Sequence, residues 1–429
     1  MLLFVSIQAL NINHELMDPF YEAISDFEVT DIGFSKLKES DADTNIVIIN
    51  IGNAENADIA LLLRQISSQQ PAVIGINKIF RRTGNGFEDS LLAMSMRDIP
   101  NLVLVTQLTD FNTKTGTWGG MITSDSLFWV YKEEFGERYA AAGFKNMPTT
   151  DRDFKTTRKF YPASTTYGIE DHFFPVELIK YKDSAKAASH ISRKNEIELI
   201  NYRGNLDKFF TIDTQDWIEG NFDPSMLKGK VVILGYMGET FYNEKFWDTD
   251  KYYTPMNNKF AGKTFPDMYE TVIYANVASM ILSDSHINVL PWYYNLLLNL
   301  VICFHVVVLF SILFHAAAVW WDVFSILIAL LITIAIPFVT VIVFSNYNLE
   351  IDLNFSMVFA LVSSSFLELY YGLFKIALQK LGVKFQISKE EEKRQKINEI
   401  IRGSAKDILS QGLTDFDFNN IKQKDNKSE

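Results

Sequence analysis

The sequence predicts an α/β domain with a largely parallel sheet, followed by an all-α region of three membrane-crossing helices. Three observations carry this reading. Val- and Ile-rich runs alternate with helical patterns from about residue 46 to residue 106. Three apolar stretches follow one another after residue 290, and between Trp292 and Phe374 the Asp, Glu, Lys and Arg residues are limited to Asp322, Glu350, Asp352 and Glu368. A chain of 429 residues also exceeds what one hydrophobic core usually organises.

Residues 46–51 read as a buried strand and 57–68 as an amphipathic helix. A strand at 72–76, a helix at 87–97 and a strand at 102–106 come next, and Val231–Gly235 reads as a later strand after the turn Lys228-Gly229-Lys230. Between them only 198–201 stands out as a further strand. The net charge of −12 sits mostly before residue 290, which argues against a nucleic-acid partner, because phosphate binding needs basic patches. Cys303 is the sole cysteine, so no disulfide forms within one chain.

Each apolar stretch, 293–316, 323–345 and 355–374, meets the roughly 20 residues that about 30 Å of hydrocarbon demands. Aromatic residues fall at headgroup level: Trp292, Tyr293 and Tyr294, then Trp320 and Trp321, then Tyr347, then Tyr370 and Tyr371. The short connection at 317–322 predicts that the first two helices are antiparallel neighbours, and Pro337 predicts a kink in the second. Lys375, Lys380, Lys384, Lys389, Lys393, Arg394 and Lys396 follow the third helix, which predicts a cytoplasmic tail at 377–429 and an exported domain at 11–290. Residues 1–10, MLLFVSIQAL, lack the basic start of a signal peptide. They are read as the outer half of a further membrane helix, with a short core helix as the alternative.

Glu368 lies inside the third stretch, where a charged carboxylate costs about 2.5 to 3.5 kcal/mol unless paired, protonated or near the interface. Two readings fit: Glu368 faces the bundle near His315, or it snorkels to water. In the tail, Ser388 with Glu391 is a capping-box pattern. The helix it opens, about 389–410, carries Ile397, Ile400, Ile401, Ala405, Ile408 and Leu409 on one face. That stripe predicts docking on another protein, since mixed charges at 389–394 suit lipid poorly.

Catalytic chemistry is not expected. The histidines, His14, His172, His190, His286, His305 and His315, show no paired metal spacing, and no Walker or dinucleotide fingerprint occurs. Gly84-Asn85-Gly86 is a turn signal, and Asp248 and Asp250 read as solvated loop charges. No metal and no cofactor are predicted.

Several segments, taken in order, resemble the type-two CHASE domain, an extracytoplasmic sensor module of bacterial membrane receptors. They are Asp18-Pro19-Phe20-Tyr21, Ser25-Asp26-Phe27, Thr30-Asp31, Gly143-Phe144 with Asn146 and a following arginine, Arg158, and Asn201-Tyr202-Arg203-Gly204. The stretch from Leu227 to Gly235 and Tyr253-Thr254-Pro255-Met256-Asn257 continue the match. In the family's Pro-Asp-Met-x-Gly-x-x-x-His-Ala-Asn motif, Glu270 replaces glycine and Tyr274 replaces histidine. The resemblance implies a sensor in the bacterial cytoplasmic membrane, an extracytoplasmic ligand, a homodimer, and signalling through the membrane. With about fifty residues after the third helix, the output is expected from a separate cytoplasmic signalling protein on the tail. The alternative is a structural or assembly subunit of an envelope complex. Arg203, with Tyr202 and Asn201, is the candidate ligand contact, since a guanidinium meets anions bidentately. The competing reading pairs Arg203 with a buried carboxylate such as Asp31 or Asp267.

Overall fold

The structure is a computed structural model that describes residues 28, 30–37, 40–128, 131–132, 137–138, 140–148, 156–241, 248, 250–257, 265–316 and 320–380. The expected segment at 1–10 and the tail helix with Ile397, Ile400, Ile401 and Ile408 lie outside the described residues. Two compact units form: one comprises the chain to Val289 together with Val341–Glu350, the other Leu290–Thr340 and the residues from Ile351.

The first unit is α/β. After a π turn at Gly33–Leu37, the chain runs β1 (Asp43–Asn50), α1 (Asn56–Ser68), β2 (Val73–Asn77), α2 (Gly86–Arg97) and β3 (Leu102–Asn112). Next are β4 (Thr117–Ile122), the pairs β5 (Tyr131–Lys132) and β6 (Glu137–Arg138), and β7 (Ala140–Phe144). Then come β8 (Lys159–Phe160), β9 (Ala163–Thr166), β10 (Ile169–His172), α3 (Phe174–Lys182), α4 (Ser184–Ser192) and β11 (Glu198–Leu199). The unit continues with β12 (Phe209–Ile212), α5 (Thr214–Glu219), β13 (Val231–Gly235), β14 (Lys251–Tyr252), β15 (Met268–Tyr269), α6 (Glu270–Ser283) and β16 (Asn288–Val289).

The fold class read from the sequence is borne out. The main sheet runs β10-β9-β4-β3-β2-β13-β1-β12, with β7 also on β3, and β12, β1, β13, β2, β3 and β7 are parallel. Alternating side chains feed two layers, because successive strand residues point to opposite faces. Val47, Ile49, Ile74, Ile76, Val232 and Leu234 pack under α1 and α2. Ile46, Ile48, Val73, Val231 and Ile233 pack under α3 and α6. Both faces are covered, so these strands are continuous apolar runs.

Several differences from the sequence reading have physical causes. β3 is eleven residues long because its second half leaves the parallel core and pairs antiparallel with β4. Asn146 makes that extension possible: its carboxamide accepts from the Leu108 N–H at 2.7 Å and donates to the Leu108 carbonyl at 2.9 Å, continuing the ladder where β7 stops. A Cβ at Gly143 would lie 2.5 Å from the Phe174 backbone, so only glycine lets β7 approach the start of α3. The strand read at 198–201 shrinks to Glu198–Leu199, since Asn201 turns away to bond the Ser285 carbonyl.

The second unit holds α7 (Trp292–Ala316), most of α8 (Trp321–Tyr347) and α9 (Asn354–Lys380), each long and apolar enough to cross a membrane. β17 (Leu349–Glu350), between α8 and α9, belongs to the first unit and pairs with β16. The main helix pairing joins α7 to α9, not α7 to α8 as the short connection suggested. The small residues Ser356, Ala360 and Ser363 are buried on α9, which permits close approach. Asn299 of α7 accepts from the Ser356 N–H at 3.0 Å and hydroxyl at 2.6 Å, capping α9 from a neighbouring helix.

Ile233 is fully buried in the central strand, whereas Leu61 is 57% exposed. Ile233→Ala should cost about 2 to 5 kcal/mol, while Leu61→Ala should stay within about 0.5 kcal/mol. Denaturant unfolding of the detergent-solubilised full chain, followed by circular dichroism, checks the contrast.

Candidate functional site

Strand β13 lies between β1 and β2 and aligns their last residues in one row, Asn50, Gly235 and Asn77. From β1 and β2 the chain leaves to the α1 and α2 face; from β13 it leads to α6 on the opposite face. Chain departures to opposite faces make the carboxyl ends of these strands a topological switch point, the usual position of a ligand crevice in open α/β sheets.

Asn50 is fully buried and ties one wall together. Its Nδ2 donates to Asp213 at 2.8 Å and to the Gly238 carbonyl at 3.2 Å, and its Oδ1 accepts from the Gly52 and Met237 N–H groups. Three loops are thereby fixed by one carboxamide. On the other side, Glu270 opens α6 with its side chain only 4% exposed. Asn77 donates to it at 3.0 Å, Lys145 at 3.2 Å and the Tyr252 hydroxyl at 3.3 Å. Tyr274, one turn along α6, donates to the Lys145 carbonyl at 3.0 Å. The two departures from the family motif thus converge on one lysine.

Around this core lie more phenols. The Tyr236 and Tyr269 hydroxyls both reach the Asp248 carboxylate, at 3.0 and 3.5 Å, and the Lys251 ammonium sits 4.9 Å over the Tyr269 ring. Burial, and next the hydrogen bond to Asp248, push Tyr236 up to about 12, so it stays a protonated donor at neutral pH. Asp248, read from sequence as a solvated loop charge, is instead engaged by this cluster. The arrangement offers amide and phenol donors, the ammonium groups of Lys145 and Lys251 and the carboxylates of Glu270 and Asp248, which suits recognition of a polar ligand. Among the described residues no group of acids, histidines or cysteine is arranged to hold a metal ion.

The residues singled out from sequence stand elsewhere. Arg203 lies at the start of β1: its guanidinium donates to Ser279 at 2.8 Å and to the Asp41 carbonyl at 2.8 Å, and stands 4.0 Å from Asp43. Its carboxylate neighbour is Asp43, not Asp31 or Asp267. Asp31 is taken bidentately by Arg158 at 2.9 and 2.6 Å, and Asp267 accepts from Thr254. Tyr202 is buried and donates to the Thr157 carbonyl at 2.8 Å. Asn201 donates to Ser285 and, at 3.4 Å, to Asn348. The fully buried Asn276 binds the same segment, accepting from the Arg203 and Gly204 N–H groups and donating to the Gly204 carbonyl. Glu368 and His315 do not meet: Glu368 is exposed, and His315 packs on Tyr371 at 5.3 Å. The α9 face toward α7 follows 356, 360, 363, 367 and 371, and one residue beyond 367 turns Glu368 about 100° away from it.

Sequence reasoning missed Asn50, Asn77, Lys145 and Tyr236. The signal available was the pair of motif departures: a glutamate in the first turn of a helix buried on all sides demands a cation and donors nearby. Lys145→Met should therefore cost about 2 to 3 kcal/mol by stranding the Glu270 carboxylate, moderated because the lysine is a quarter exposed. Adding Glu270→Gln should restore at least half, as measured by denaturant unfolding of the full chain.

Comparison with known families gives one match: the family model of the CHASE2 domain covers residues 3–333. No curated protein and no solved structure matches the chain. CHASE2 is a sensor-type extracellular domain, and the three apolar helices fit a membrane anchor. With three quarters of its length matched, the chain belongs to the CHASE2 domain family.

Proposed function

We propose that the protein is a membrane-anchored sensor of the bacterial cytoplasmic membrane. Its α/β unit faces outward, binds a polar ligand at the crevice beyond β13, and passes its state through the helices to a cytoplasmic signalling protein on the tail. The chain itself carries out no catalysis in this reading, and it works as a homodimer.

One observation carries the proposal: α8 is a single helix, yet its last turns belong to the sensor fold. Phe344 is buried in the α/β core, with its ring 5.1 Å from that of Phe34. The Asn348 carbonyl accepts from the Asn288 N–H at 2.8 Å, its side chain accepts from Asn201, and β16 pairs with β17. Rearrangement of the Asn201–Gly204 segment or of the Phe34 turn therefore bears directly on a membrane helix. Coupling through packed, discrete contacts is what transmission requires, since close-packed interiors are not continuously deformable. Asn201 is accordingly assigned to coupling and not to the ligand.

Two experiments test this reading. In a Cys303→Ser background, Ser225→Cys should react with a membrane-impermeant maleimide in intact cells, while Ser388→Cys should react only after lysis. Equal reactivity of both positions would remove the proposed topology. A cytoplasmic protein that co-purifies with the full chain should be lost when residues 381–429 are deleted, and its yield should change with Phe344→Ala although the tail is intact. Capture indifferent to Phe344 would favour a structural or assembly subunit.

A further inference from the structure

Away from the crevice, two imidazoles are buried against each other. His190, in the last turn of α4, and His286, just after α6, stack with centroids 5.0 Å apart and planes 20° apart; Phe160 also stacks on His190 at 5.8 Å. They are 2% and 8% exposed. Among the described residues, both ring nitrogens of His190 and Nδ1 of His286 find no hydrogen-bond partner, while His286 Nε2 lies 3.3 Å from the Asp284 carboxylate.

Burial keeps these rings neutral. It lowers both, His190 to about 4, with His286 and Arg193 pressing His190 the same way and Glu198 and Asp284 opposing. Arg193 is held by Glu198 at 2.7 Å and by Asn288 at 3.2 Å. Lys186 stands 3.7 Å from Asp284. On α3, Glu177 is engaged by Lys180 and His172, and Lys182 donates to the Gly229 carbonyl. Asp284, half exposed and in a left-handed turn, is thus the carboxylate placed to receive a proton-bearing His286.

We infer that the His190–His286 stack is a proton-binding site, and that protonation of His286, disfavoured inside the buried stack, loosens residues 284–289 from the α/β unit, His286 keeping its contact with Asp284 as it leaves. That segment ends in β16, whose ladder with β17 and bond to Asn348 hold the end of α8. The proton thereby becomes a stimulus of the sensor. Its signalling meaning rests on the sensor reading above; the site itself does not.

The sign follows from linkage. Groups whose folded pKa is lowered stabilise the closed form above about pH 6.5 and lose that contribution as pH falls toward about 4. Asp267 works in the opposite direction: burial raises its carboxyl to about 6, so it strengthens the fold as pH falls. Global stability mixes the two, and a local measurement is required.

Hydrogen exchange by mass spectrometry, on the full chain in lipid nanodiscs at pH 7.5 and 5.0 and corrected for intrinsic rates, provides it. Exchange at 284–289 should rise on the order of tenfold or more at pH 5.0. His286→Gln should abolish the rise. Should that variant misfold, His190→Phe, which keeps the stack on Phe160 and replaces a polar ring edge beside His286 with an apolar one, must at least shift the midpoint read over a pH series between 7.5 and 5.0. No rise in the wild type, or the same rise at the same midpoint in a folded variant, overturns the inference. A rise at 284–289 with none at 341–350 upholds the proton site and removes the transmission reading instead.

Discussion

The sheet depends on a strand that arrives late. β1 and β2 share no ladder; each pairs with β13, so Val231–Gly235 joins two halves that would otherwise be separate ribbons. Its five residues are buried on both faces. Closing so long an intervening chain carries an entropic cost that grows slowly with length, and burial of a full apolar strand in two layers offsets it. The same insertion sets Asn50, Gly235 and Asn77 side by side and turns the following chain to the opposite face. The switch point is a consequence of how the sheet closes.

The family motifs serve this closure. Thr254 binds Asp267, Arg158 binds Asp31, Asn146 binds Leu108, and Asn276 binds Arg203 and Gly204. Each ties separate segments together, Thr254 and Asp267 across a loop and the others across longer stretches of chain, through polar groups that would be costly to leave unpaired. These residues hold the scaffold, whereas Glu270 and Tyr274 stand at the switch point beyond β13. A buried carboxylate needs compensation, and Lys145, Asn77 and Tyr252 supply it.

The helical unit follows different rules. Lipid offers no hydrophobic drive for helices to associate, so small residues and polar contacts decide which face meets which. Asn299 with Ser356 and Ser311 with Tyr371 pin α7 to α9. α8 joins through Trp321 and Ala329 at one end, while Phe344 at the other end is given over to the sensor core.

The parallel strands β1, β2, β3 and β13, the helices α1 and α2 and the three apolar helices were legible in the sequence alone, whereas the parallel strands β7 and β12 and the helices α3 and α6 were not. Strands buried on both faces must be continuous apolar runs, and a bilayer demands a minimum apolar length. The antiparallel extension from β3 to β4 was hidden, because Gly119, Gly120 and Thr117 break the alternation that marks a strand. The candidate triad at 201–203 was visible as a motif, but its duty was not, since an arginine beside a tyrosine looks the same whether it meets a ligand or Asp43. Tertiary structure decided that, and decided which residues gather at the ends of β1, β13 and β2, which face of α9 excludes Glu368, and that His190 and His286 touch. The reason is physical: periodicity and hydropathy are local properties of the chain, while a polar side chain's role is set by the partner that long-range closure brings to it.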